Sequence, residues 1–262
     1  MATVRPTALP PYTRSPVADL PFDLAPVAFA RFLRHFDPEA KLPRALQALG
    51  PVARRDVVVV DAGHGVVAGQ LAVLGARVTA LERPGALADL ERAVRASPLL
   101  AGVRVAEGTP ERLGLPDESV DVVVGCWSAY RGPKPAELAE AERVLRPGGR
   151  LLVVHDYGRD EASQLRDPGL PEYTSWGRRD GPFLRAGFRI RVIHCWWRFD
   201  DLETARSVLA EVFGPPGVVL GERLRRPRVA HNIAVFHRSK DEEMDEEPGE
   251  EGAAEGVEAA RP

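Results

Sequence analysis

Of the 262 residues, 44% are apolar and 28% charged, with a formal net charge of −3. That is enough apolar material for one large α/β domain, and it excludes a wholly disordered chain. No apolar run approaches the ~20 residues of a spanning helix, two cysteines (Cys126 and Cys195) make no disulfide framework, and the proline-rich start has no apolar stretch behind a basic one, so the expected setting is cytoplasmic, without a membrane partner.

Residues 1–20 hold four prolines and no period and read as a flexible arm. Residues 21–50 carry two short helical patterns, Val27-Phe29-Phe32-Leu33-Phe36 and Leu42-Leu46-Leu49, which form a helical cap. From residue 51 a strand–helix alternation begins. Strands are predicted at 56–61, 77–82, 103–106, 120–125 and 150–155, and helices at 66–74, 87–96 and 135–145. Gly75 and Ser97-Pro98 end the first two helices. A long Arg- and Asp-rich connection follows at 158–187, with a short helix at 181–186. Then come a strand at 188–197, a helix through Leu202, Ala205, Leu209 and Val212, and a last strand at 229–237. This rhythm predicts a Rossmann-like, doubly wound, mostly parallel seven-stranded sheet with helices on both faces, spanning 51–240. Residues 241–262 contain ten acidic residues and one basic one, and read as a disordered, solvating tail. The first 240 carry 28 acidic and 34 basic residues. No dense basic stripe with interleaved aromatics occurs, so nucleic acid is not an expected partner.

The sharpest local signal is Val57-Val58-Val59-Val60-Asp61-Ala62-Gly63-His64-Gly65, a strand running through two glycines into a helix. Glycine there lets a ligand lie across the turn. Glu82, 19 residues after Gly63 at the end of the second strand, can accept hydrogen bonds from both hydroxyls of a ribose. Together they indicate a nucleoside-containing cofactor. Gly63-His64-Gly65-Val66-Val67-Ala68 also fits a degenerate dinucleotide fingerprint, which leaves an NAD(P)-dependent oxidoreductase open. No Gly-x-Ser-x-Gly elbow, no Walker loop and no close His/Cys/carboxylate spacing of a zinc site occurs, so no metal is expected.

Two further motifs weigh against the dinucleotide reading. Leu115-Pro116-Asp117-Glu118-Ser119-Val120-Asp121 precedes the fourth strand, and Leu145-Arg146-Pro147-Gly148-Gly149 precedes the fifth. In this order the chain resembles the class I S-adenosylmethionine-dependent methyltransferases, in their small-molecule, methyltransferase type 11-like branch. The resemblance covers about 57–154. It implies S-adenosyl-L-methionine as cofactor, with Asp61, Gly63 and Gly65 at its methionine end, Glu82 on the ribose, and Thr109 and Pro110 by the adenine. Cys126 and Trp127, with Ser128, would border the sulfonium and a small-molecule acceptor. Val67 stands where the family usually has a third small residue, and Thr109 where it often has an acid. These two departures motivate an alternative, a catalytically retired methyltransferase fold serving as a binding or scaffold protein. Methyl transfer chiefly needs in-line alignment and exclusion of water, and a base where the acceptor carries a proton. His155, Asp156 and Tyr157 follow the fifth strand and are the candidates, with His155 first because an imidazole titrates near working pH. The other reading is that His155 and Asp156 only bond to backbone where the strand ends.

Overall fold

A computed structural model describes residues 24 and 26–240. The arm expected at 1–20 and the tail at 241–262 lie outside the described residues. Two helices come first, α1 (Pro26–Leu33) and α2 (Lys41–Leu49). The alternation then runs β1 (Asp56–Val60), α3 (Val66–Val73), β2 (Arg77–Glu82), α4 (Leu87–Ala96), β3 (Arg104–Glu107), β4 (Val120–Cys126), α5 (Pro135–Val144) and β5 (Leu145–Asp156). The second half contains α6 (Pro171–Thr174), α7 (Pro182–Arg185), β6 (Arg189–Arg198), α8 (Leu202–Phe213), α9 (Pro215–Arg223) and β7 (Arg228–Ser239).

The seven strands form one sheet in the order β3-β2-β1-β4-β5-β7-β6. β1 to β5 are parallel, and β7 runs antiparallel to both β5 and β6. This is the expected doubly wound, mostly parallel architecture. Because successive strand residues face opposite ways, β1 supplies both cores. Val57 and Val59 join Phe32, Leu42, Leu46, Leu71 and Leu209 on one side. Val58 and Val60 join Leu138, Val144 and Phe183 on the other. Burial on both faces is why these strands read as continuous apolar runs.

Three elements differ from expectation: β5, and the helices α6 and α9, which fall where no element is predicted. β5 starts five residues earlier than predicted. Val120 already pairs with Leu145, and a register shift between Val120 and Val122 absorbs the Pro-Gly-Gly stretch. Gly149 is needed there, since a Cβ would lie 2.8 Å from the Arg146 carbonyl oxygen. Helix α9 begins at Gly214-Pro215-Pro216-Gly217. Proline is compatible with a first helical turn, and Gly217 lets α9 approach α8 so closely that a Cβ would overlap the Leu209 carbonyl.

Candidate cofactor and acceptor site

The carboxyl ends of β1 and β2 build the first half of the site. The chain leaves β1 through three left-handed residues, Asp61 (φ 50°), Gly63 (φ 60°) and Gly65 (φ 77°). Gly65 also backs onto Leu100, whose Cδ1 would lie 3.0 Å from an added Cβ. Glu82 ends β2 with no exposed surface. One carboxylate oxygen accepts the Gly63 N–H at 2.9 Å and the other the Arg83 N–H at 2.9 Å. Burial outweighs these bonds and pushes its pKa up to about 7. Asp61 is equally buried. Arg83 donates to both of its oxygens, at 3.0 and 2.8 Å, and opposes the rise that burial imposes on the Asp61 carboxyl.

Around this turn the edge is rich in carboxylates. Thr109 forms a two-way backbone bridge with Arg112, and Pro110 is buried beside it. Glu137 is 2% exposed, its pKa is raised by burial, and Lys134 bonds to it at 2.6 Å. Tyr130 lies within the electrostatic reach of Glu137, Asp61, Glu140 and Glu111. Its buried hydroxyl has no hydrogen-bond partner among the described residues.

The second half centres on Asp156, at the end of β5. It is buried and accepts from the Trp127 indole at 2.8 Å, the Tyr173 hydroxyl at 2.6 Å, the His231 Nε2 at 3.1 Å, and the Arg166 guanidinium. Burial alone would raise its pKa, but Arg166, His231 and Tyr173 together hold it far below the carboxylate range. Arg166 also donates to Glu172 at 3.1 Å, and Glu172 accepts from Arg131 at 2.8 Å. Arg131 in turn donates to the Trp127 carbonyl at 3.0 Å. The Trp197 indole, which can only donate, bonds to His231 Nδ1 at 3.2 Å. The His231 hydrogen therefore sits on Nε2 and points at Asp156.

His155 faces the other way and is a core residue. It has no exposed surface, packs edge-on to Trp176 at 4.6 Å, and bonds through Nε2 to the Tyr130 carbonyl at 3.1 Å. Its Nδ1 has no hydrogen-bond partner among the described residues. Burial depresses its pKa to about 3, so it stays neutral at working pH. The backbone-bonding reading of His155 thus matches the geometry, whereas Asp156 binds side chains instead. Tyr157 is half-buried, donates its backbone N–H to Asn232, and faces Arg159.

The cap packs on the same edge. Phe29 of α1 stacks on His64, in the middle of the glycine turn, at 4.1 Å between ring centroids. Phe36 lies edge-on to Trp127 at 6.0 Å and 5.5 Å from His231. Val67 is 2% exposed and belongs to the apolar cluster that also holds residues of α1 and α2. Cys126 and Trp127 are each 1% exposed at the end of β4. The structure therefore gathers Asp61, Gly63, Gly65 and Glu82 at one turn, and joins Trp127 to Asp156. His194 and Cys195 diverge as strand alternation requires: His194 is exposed on Asn232, and Cys195 is buried. Among the described residues no group of three or more His, Cys, Asp or Glu could hold a metal, and no helix is long and apolar enough to cross a membrane.

Sequence reasoning missed Arg83, Tyr130, Arg166, Glu172 and His231. Only Arg83 had a local signal, as a cation directly after the ribose-type acid. The Arg- and Asp-rich 158–187 connection is not solvated throughout: Tyr173 bonds to Asp156 and Trp176 is 5% exposed. Arg178 pairs with the exposed Asp180.

Residues 59–153 match the family model of a methyltransferase domain. Proteins of Mycobacterium bovis and of two strains of Mycobacterium tuberculosis, each named an uncharacterized methyltransferase, are 34% identical over 128 residues. That stretch is 48% of this chain and 50% of theirs, so the chain spans about half the length of the relatives it matches. A SAM-dependent methyltransferase from Aquifex aeolicus shares the fold with a TM-score of 0.51 at 19% identity, over 78% of this chain and 90% of its own. A protein of Anaeromyxobacter dehalogenans does so with a TM-score of 0.53 at 22% identity, over 76% and 95%. With the strand order and the β1 turn described above, these likenesses mark residues 59–153 as similar to a methyltransferase domain, in a chain that shares its fold with a SAM-dependent methyltransferase.

Proposed function

We propose that the protein transfers the methyl group of S-adenosylmethionine to a small-molecule acceptor. The observation that carries this reading is Glu82. Each of its oxygens holds a single backbone N–H, which leaves further lone pairs on both for a ribose diol. The neighbouring Asp61, Glu111 and Glu137 make this edge suitable for a cationic ligand, and the sulfonium cofactor is one. The buried Tyr130 hydroxyl is a further polar group there. Asp61, Gly63 and Gly65 are assigned to the methionine end, Glu82 to the ribose, Thr109 and Pro110 to the adenine, and Cys126 and Trp127 to the border with the acceptor.

When bound, the cofactor supplies an activated methyl group on a positively charged sulfur. The protein's own work is alignment and exclusion of water. Trp127 is fixed from both ends, its indole on Asp156 and its carbonyl under Arg131, so the wall after β4 is rigid. The Phe29–His64 stack holds α1 over the glycine turn and keeps bulk water from it. Asp156 is a positioning residue: its oxygens are occupied by four donors and its proton affinity is depressed. His155 faces the aromatic core, away from Asp156, and takes no proton. Of the three candidate bases, only Tyr157 keeps a partly open side chain.

Calorimetric titration tests the reading. S-adenosylmethionine and S-adenosylhomocysteine should each bind with micromolar Kd and NADH should not. Binding of NADH, or of neither sulfur nucleoside by folded protein, would overturn it.

A further inference from the structure

A groove of about 640 Å³ lies at the β6–β7 side of the sheet's carboxyl edge. Arg159, Arg223, Arg225, Arg226 and Arg228 line it, together with Trp196. Several arginines elsewhere pair with carboxylates, as Arg77 with Asp56, Arg83 with Asp61 and Arg143 with Glu140. These five hold no carboxylate among the described residues. Arg228 lies over the Trp196 ring at 4.0 Å, Arg159 faces Tyr157, and Arg223 reaches only the Gln164 amide. The two acids of the groove are already engaged. Asp160 accepts the Asn232 N–H at 2.6 Å and Glu161 the Ala230 N–H at 2.7 Å, where β7 runs on beyond β5.

The same chain carries the complement. Residues 241–262 contain ten acidic residues and one basic one. They depart from Lys240, which is anchored on Gly149 and Leu145 at the opposite edge of the sheet. The edge strand β6 connects the two places. Its first residue, Arg189, pairs with His237 near the point of departure, and Trp196 near its other end lines the groove. That path is roughly 25 Å at ~3.3 Å per residue, while 22 residues can extend to roughly 75 Å. Arg189 and Arg191, both exposed on β6, lie along it.

We propose that residues 241–262 fold back along β6 and dock their acidic stretch in the arginine groove of the same chain. The contact is ionic and solvent-facing, so it holds at low salt and loosens as screening grows. It covers an arginine-rich surface that would otherwise attract nucleic acid and other polyanions. The inference is independent of the methyl-transfer reading.

The test is the rate at which a glutamate-specific protease trims the tail of the full-length protein. In 50 mM salt the Arg225→Glu/Arg226→Glu variant should be trimmed at least fivefold faster than the natural protein. Raising salt to 500 mM should bring the natural protein to the variant's rate. The variant's own salt response corrects for the protease, and an unchanged melting temperature confirms its fold. Equal rates at low salt would overturn the docking. A protection that grows with protein concentration would overturn its intramolecular form. As a second readout, a fluorescent single-stranded oligonucleotide should bind the natural protein at least tenfold more weakly than a form ending at Lys240. Equal binding would overturn the shielding.

Discussion

Arg83 clamps Asp61 through two hydrogen bonds, at 3.0 and 2.8 Å, across the turn that leaves β1. The pair joins the ends of β1 and β2 above the Glu82 carboxylate. Asp61 is fully buried, whereas the Arg83 side chain is 39% exposed. Arg83→Ala strands a buried carboxylate, and solvent can relieve only part of the loss. Unfolding in urea should show a destabilisation of about 1–3 kcal/mol. A change within error would show that the clamp adds nothing to the turn.

Glu82 sets a pH dependence. Its folded pKa of about 7 lies above its unfolded value. The stability it contributes is thus present in full below ~4.3 and is lost as pH rises through 7. Ribose hydroxyls donate best to the ionised form. Affinity for S-adenosylmethionine should therefore rise between pH 6 and pH 8, and Glu82→Ala should flatten that rise. At pH 8 the variant should bind more weakly by about 1.5–3 kcal/mol, the range of a hydrogen bond to a charged group. Unchanged affinity in Glu82→Ala would remove the ribose assignment.

For Asp156 the sign reverses. Its folded pKa is depressed, so its contribution is complete above ~3.9 and is lost as pH falls toward the folded value. Asp156→Ala leaves Arg166 buried with one carboxylate instead of two and frees three further donors. A loss of about 3–5 kcal/mol is expected at pH 7. Near-UV circular dichroism should change with it, because Trp127 and Tyr173 lose their common anchor. A loss under 1 kcal/mol would show that the donors find other partners.

His155→Phe separates a base from a core residue. Packed between Trp176 and Phe183, the ring is replaceable by another aromatic at the loss of one hydrogen bond, about 1 kcal/mol. The pH profile of turnover, once an acceptor is known, should keep both limbs. Disappearance of one limb would assign the proton transfer to His155 after all.

Val67→Gly should weaken the fold and leave cofactor affinity unimproved. The side chain is buried among apolar neighbours on a helix, so its removal combines a cavity with the helix cost of glycine, about 2–4 kcal/mol. Tighter binding in the variant would mean that Val67 does press on the ligand.

What was legible beforehand follows from the range of the interactions. β1 and β4 announce themselves because burial on both faces demands unbroken valine runs, and Gly63, Gly65 and Glu82 because a turn and a strand end are local. Three of the four donors to Asp156 lie 10, 17 and 75 residues away and share no period with it. Nothing near His155 in sequence tells that its ring points into an aromatic cluster, since strand alternation says only that it and Asp156 diverge. The burial of Val67 in the cluster with α1 and α2 could not be read beforehand, because the sequence does not say which side of α3 meets the core.

The Asp156 hub has a consequence for how such a protein can diversify. Its donors come from four separate stretches, after β4, at Arg166, at Tyr173 and at His231 in β7. The insert that begins after β5 is therefore bolted to the domain and is not a free decoration. Replacing the insert would mean carrying over an arginine and a tyrosine in register, or replacing the aspartate at the same time. Exposed positions between those bolts, such as Arg159 and Arg178, can change without disturbing the hub, whereas exchange of the whole segment cannot.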